Sequence, residues 1–61
     1  ATASESYRAA FTALAAHPDA QVRLAVAQMS QSSTRDAAME TLWTYANDHP
    51  DDPLRDEIYL L

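Results

Sequence analysis

The tripeptide His17-Pro18-Asp19 returns 32 positions later as His49-Pro50-Asp51, in a chain of 61 residues. The apolar residues around it keep the same offset. Tyr7, Ala10, Phe11 and Leu14 fall at i, i+3, i+4 and i+7, and a shift of 32 carries them onto Met39, Leu42, Trp43 and Ala46. The same shift carries Val22, Ala25, Val26 and Met29 onto Leu54, Glu57, Ile58 and Leu61, with Glu57 the one polar exception. Each set is the apolar stripe of an α-helix. The chain therefore reads as one small all-α domain over 1–61, of about four helices arranged as two antiparallel helical hairpins, with repeat units 5–29 and 37–61.

Local signals place the boundaries. Thr2 followed by Glu5 has capping-box spacing, so a helix is expected to start there. His17-Pro18 ends it, because the residue before proline is pushed out of the α region. Pro18 suits the first turn of a second helix, and Asp19 sets a carboxylate near its positive end. That helix fades in the polar run 30–34, where Ser33 with Asp36 offers the next cap. Asp48-His49-Pro50 breaks the third helix, and Asp52-Pro53 predicts a fourth with Asp at the N-cap and Pro at the first helical position.

Composition narrows the class. The absence of glycine argues against turns that need positive φ, and a hydrophobic fraction of 48% argues against disorder. Without cysteine there is neither a disulfide nor a thiolate metal site. A domain this small buries only about 60% of its unfolded surface, so partner binding or self-association is the expected source of extra stability. The net charge is −5, and the basic residues are four dispersed arginines, Arg8, Arg23, Arg35 and Arg55. Nucleic-acid binding needs a clustered positive face and is not expected. No apolar run approaches the ~20 residues of a membrane-spanning helix. The start at Ala1 fits removal of an initiator Met, cleavage of a leader or excision from a longer chain; the compartment stays open, with the cytoplasm slightly favoured.

The stretch HPDAQVRLAVAQM resembles the second half of a HEAT-like helical repeat. Pro18, Asp19, Val22, Arg23, Ala25, Val26 and Met29 match its pattern of an acidic-proline turn, Val-Arg, small residues and a terminal aliphatic. The second copy keeps His49, Pro50, Asp51, Arg55 and Leu61 and departs at Leu54, Asp56 and Glu57. The resemblance implies close helix approach at the small residues, arginines 23 and 55 paired with acidic groups of a neighbouring repeat, and a protein-binding role. Such arrays need at least about three units, so two imply a fragment or a core completed by another molecule.

Chemistry-bearing constellations are sparse. His17 with Asp19 and His49 with Asp51 have ligand-like spacing, yet a histidine before proline at a helix junction reads as a solvated turn residue, and no metal is expected. Ser4, Ser6, Ser30, Ser32 and Ser33 lack a nucleophile elbow and an oxyanion loop. The carboxylates of 48–57 lack the sheltered pocket that acid–base work requires. No catalytic residue and no cofactor is expected.

Trp43 reads as core and Tyr45, about 200° around the helix, as an edge residue available to a partner. Tyr59 and Leu60 lie off the Leu54/Ile58/Leu61 stripe, and so short a chain is not expected to bury all five within itself. Tyr45, Leu54, Ile58, Tyr59, Leu60 and Leu61 are therefore the candidate partner-binding residues. The expected function is a non-enzymatic interaction module, an adaptor or chaperone-like subunit covering an apolar segment of another protein chain. The alternatives are an acidic neutraliser of a basic enzyme, such as an antitoxin or immunity protein, and a self-assembling subunit or piece of a longer solenoid.

Overall fold

A computed structural model describes residues 3–61. The chain is all-α: α1 spans Ala3–Ala15, α2 Ala20–Gln28, α3 Ser32–Asp48 and α4 Arg55–Tyr59. No described residue has positive φ, in keeping with a chain that contains no glycine. Each helix packs on its sequence neighbour and α4 returns to α1, while the backbones of α1 and α3, and of α2 and α4, stay more than 8 Å apart at every Cα pair. The result is a ring of four helices built from the α1/α2 and α3/α4 hairpins. Among the described residues, no helix is long and apolar enough to cross a membrane.

The predicted start at Thr2 lies outside the described residues. α1 ends at Ala15, and Ala16 and His17 close it with N–H bonds to the Ala13 and Leu14 carbonyls. Asp19, rather than opening α2, is its N-cap: with extended backbone, its Oδ1 accepts the Gln21 N–H at 2.7 Å. Pro18 thus stands outside the helix. The expected Ser33–Asp36 cap does not form either. α3 begins at Ser32 directly from extended Gln31, and Thr34 Oγ1 donates back to the Gln28 carbonyl at 2.6 Å. The side chain satisfies the end of α2 instead of the start of α3.

Asp52 caps a turn earlier than α4. Its Oδ1 accepts the Leu54 N–H at 2.8 Å and its carbonyl accepts the Arg55 N–H at 3.1 Å, a three-residue spacing. α4 then starts at Arg55, with Leu54 as N-cap, and not at Pro53.

The core comprises Leu14, Val22, Ala25, Val26, Met29, Ala38, Leu42, Ala46 and Ile58, with Ala10 also buried. Alanines at four of these positions remove side-chain bulk and let the helices approach closely. Trp43, expected inside, is 52% exposed. The reason is angular: Ala38, Leu42 and Ala46 form the inward row of α3, and Trp43 sits about 100° away from Leu42. Among the C-terminal residues, Ile58 is buried, Leu54 and Leu61 are half-buried against the core, and Tyr59 and Leu60 face outward. The Cα extents are 29 × 29 × 17 Å, too thin for outward-facing side chains to find cover within the chain.

This arrangement predicts opposite outcomes for two neighbours. Ile58→Ala should lower the unfolding free energy by about 2–5 kcal/mol in a urea titration, by loss of burial and creation of a cavity. Leu60→Ala should change it by no more than about 0.5 kcal/mol.

Candidate functional site

His17 is buried, with 2% of its surface exposed, although its place before Pro18 suggests a solvated turn. Both ring nitrogens are engaged. Nδ1 accepts the Asp19 N–H at 2.9 Å, so the ring proton resides on Nε2, which donates to Asp52 Oδ2 at 3.0 Å. The same Asp52 oxygen accepts the Tyr45 hydroxyl at 2.7 Å, while Oδ1 holds the Leu54 N–H. One carboxylate therefore ties the α1–α2 turn, α3 and the α3–α4 turn together. Its side chain is 12% exposed.

Hydrogen bonding sets the titration of this clasp. The Leu54 N–H and the Tyr45 hydroxyl, with a further contribution from His17, hold the Asp52 carboxyl below its ordinary range against the opposing effect of burial. Tyr45 is pushed up to about 12, first because its O–H bond to Asp52 would be lost on ionisation, then by burial and by the charges of Asp52, Asp19 and Asp51.

His49 behaves differently from His17. It is exposed, its Nδ1 meets the Tyr45 carbonyl at 2.9 Å, and its ring stacks on that of Tyr45 at 4.0 Å. The ring centre of Tyr45's other neighbour, His17, lies 5.4 Å from that of Tyr45 in a T-shaped contact. The two turns differ because the positions 32 residues before Tyr45 and Asp52 hold alanines, Ala13 and Ala20. Those two differences across the 32-residue offset were the signal in the sequence for the clasp.

The pairing of Arg23 and Arg55 with acidic groups of a neighbouring repeat, implied by the resemblance, does not form among the described residues; both turn onto main-chain carbonyls. Arg23 Nη1 donates to the His17 and Pro18 carbonyls at 2.6 and 2.9 Å, and Arg55 Nη1 donates to the Pro50 carbonyl at 2.9 Å. Both brace their own turn five residues back. Arg55 adds only an exposed contact to its neighbour Asp56 at 3.3 Å.

The clasp offers little for catalysis. His17 has no free nitrogen and no buried polar side-chain atom among the described residues lacks a partner. Nor do three His, Asp or Glu side chains among the described residues converge as a metal site. What remains open is surface. Of the candidate partner-binding residues, Tyr59 and Leu60 are 59% and 51% exposed, Tyr45 is committed to the clasp by its hydroxyl, and Ile58 belongs to the core. Leu24 and Trp43 are exposed as well, on α2 and α3. Beside the clasp, an open groove of about 450 Å³ runs between α3 and the start of α2. Comparison with family models, curated proteins and solved structures finds no match.

Replacing Asp52 by Asn tests the clasp. Without the charge, the Tyr45 phenol should ionise closer to pH 10, about its ordinary value, in an absorbance titration. The depressed Asp52 carboxyl contributes stability that is complete above its unfolded pKa and is lost as pH falls through the folded value. Tyr45 works in the opposite direction: its contribution is complete below about pH 10 and fades as pH rises through about 12. The wild type should thus lose stability at both extremes more steeply than Asp52→Asn. His17→Ala, which leaves the Asp19 N–H and an Asp52 oxygen short of a partner, should cost about 1–3 kcal/mol at neutral pH.

Proposed function

We infer that the protein is a non-enzymatic interaction module that covers an apolar segment of a partner protein. The observation that carries this reading is the outward placement of Tyr59 and Leu60 beside a core that closes on Ile58 without them. Apolar side chains of that size gain about 1.5–3 kcal/mol each when removed from water, and nothing within this thin ring removes them. An adaptor or chaperone-like subunit is the concrete form of the proposal. The HEAT-like resemblance agrees with it, since α–α repeats of that kind mostly bind proteins.

A second reading, an acidic neutraliser, is favoured by one observation. Among the described residues, Asp36, Glu40, Asp48 and Asp51 have no cationic partner, and three of the four arginines are turned onto main-chain carbonyls. Salt separates the two. An apolar contact should lose little affinity when ionic strength is raised, whereas a charge-steered one should weaken strongly.

Leu60→Asp is the direct test. Because Leu60 lies outside the core, the variant should keep its helical circular dichroism. Its association with a partner, or with itself in sedimentation, should fall by about tenfold or more, the equivalent of ~1.4 kcal/mol. Unchanged mass and unchanged partner binding would sink the proposal.

A further inference from the structure

His17 and His49 hold matching places in the two H-P-D turns, yet a proton meets them in opposite settings. At His17 the Nδ1 lone pair accepts the Asp19 N–H at 2.9 Å, and Nε2 carries the ring hydrogen to Asp52 Oδ2 at 3.0 Å. The ring position left for a second proton is therefore Nδ1, where it would point at another N–H. The ring is buried, so water reaches that nitrogen only if the turn moves. At His49 the order is reversed. Nδ1 faces the Tyr45 carbonyl at 2.9 Å, and a carbonyl only accepts, so the hydrogen sits on Nδ1 and the free lone pair on Nε2. His49 is exposed and closes the C-terminal end of α3, where positive charge is favourable. Its protonation displaces nothing.

We propose that His17 makes the α1–α2 turn an acid-operated latch: a proton on Nδ1 expels the Asp19 N–H and frees the start of α2, while Nε2 keeps its hold on Asp52. The groups around the ring set this outcome. Asp19 supplies both the displaced N–H and a carboxylate that attracts the new one. That carboxylate is the N-cap of α2, bonded to the Gln21 N–H at 2.7 Å, so drawing it to the ring uncaps the helix. Asp52, on the α3–α4 turn, gains from a cationic ring, since its bond to Nε2 then joins opposite charges. The exposed Asp51 beside it adds negative charge. Tyr45, on α3, packs on His17 in a T-shaped contact and donates its hydroxyl to Asp52, so the hairpins stay joined. Arg23, on α2, bonds the His17 carbonyl at 2.6 Å and opposes a second positive charge there, as does His49 stacked on Tyr45 once it is protonated. On α4, Arg55 is held on the Pro50 carbonyl and on Asp56, and neither Asp56 nor Glu57 bonds the ring.

The latch is independent of any partner and of the Asp52 and Tyr45 titrations, which act at the extremes of pH. Imidazoles change charge between about pH 5 and 8, so the bond from Asp19 is present at the upper end of that interval and lost towards the lower. Amide hydrogen exchange on the full chain at about pH 7.5 and about pH 5, each rate divided by that of an unstructured peptide at the same pH, reads the local opening. Protection at Asp19 and Gln21 should fall by about tenfold or more at the lower pH, in wild type and in His49→Gln, as the loss of a buried hydrogen bond and a cap implies. In His17→Gln, whose amide can still donate to Asp52 but takes no proton, it should change by less than about threefold. The Leu42 amide, inside α3, should change by less than about threefold in all three proteins, because the opening is local. A flat response at Asp19 in wild type, a matching fall at Leu42, or the same fall in His17→Gln would each overturn the proposal. Nitrogen NMR of the two rings checks the premise without any substitution. At the higher pH His17 should be the Nε2–H tautomer and His49 the Nδ1–H tautomer, and the Nδ1–H form at His17 would sink it.

Discussion

The Asp52 carboxylate is the point on which the two hairpins depend. It is placed by its own turn, through the Leu54 N–H, and from there reaches Tyr45 on α3 and His17 at the junction of α1 and α2. A buried imidazole with one unsatisfied nitrogen would cost about 1–3 kcal/mol, a large share of the stability of so small a domain. Here both nitrogens are satisfied, one by the backbone of the first half and one by the side chain of the second. The apolar core can tolerate small shifts of helix against helix, whereas this set of hydrogen bonds admits one arrangement.

The clasp also explains why the two H-P-D turns behave differently. Both are braced by an arginine from the following helix. In the first half the histidine turns inward, because Asp52 is there to meet it. In the second, Ala20 and Ala13 stand where an aspartate and a tyrosine would be needed, and His49 folds back onto the carbonyl and ring of Tyr45. The ring closes as α4 comes back to α1, and the diagonal pairs stay apart. The second half also has the shorter final helix, five residues in α4 against nine in α2, because the turn that Asp52 caps takes up Pro53 and Leu54.

Tyr45 connects interior and surface. Its hydroxyl is fixed inside by Asp52, while its ring, sandwiched between His17 and His49, forms part of the groove wall. The outward Tyr59 and Leu60 have no such link; they follow Ile58 at the end of the chain, and their exposure comes from α4 having one buried face.

Much of the fold was legible in the residues. The four helices, their all-α class and the inward positions Leu14, Val22, Val26, Leu42 and Ile58 follow from a 3.6-residue period and from proline and aspartate signals, which act locally. Cap positions were less legible, because Asp19, Thr34 and Asp52 each choose among several nearby backbone groups, and neighbouring helices settle the choice. Trp43 and His17 were misread, the first as core and the second as a solvated turn residue. Whether a residue at the edge of a stripe is covered depends on which flank the next helix takes, and a histidine at a turn is buried only if a distant acceptor reaches it. Sequence by itself determined the helices and their apolar faces, since those rest on interactions within a few residues. The tertiary structure alone decided the ring, the clasp of His17, Tyr45 and Asp52, and the groove beside it, because His17 and Asp52 lie 35 residues apart and meet only after the helices have packed.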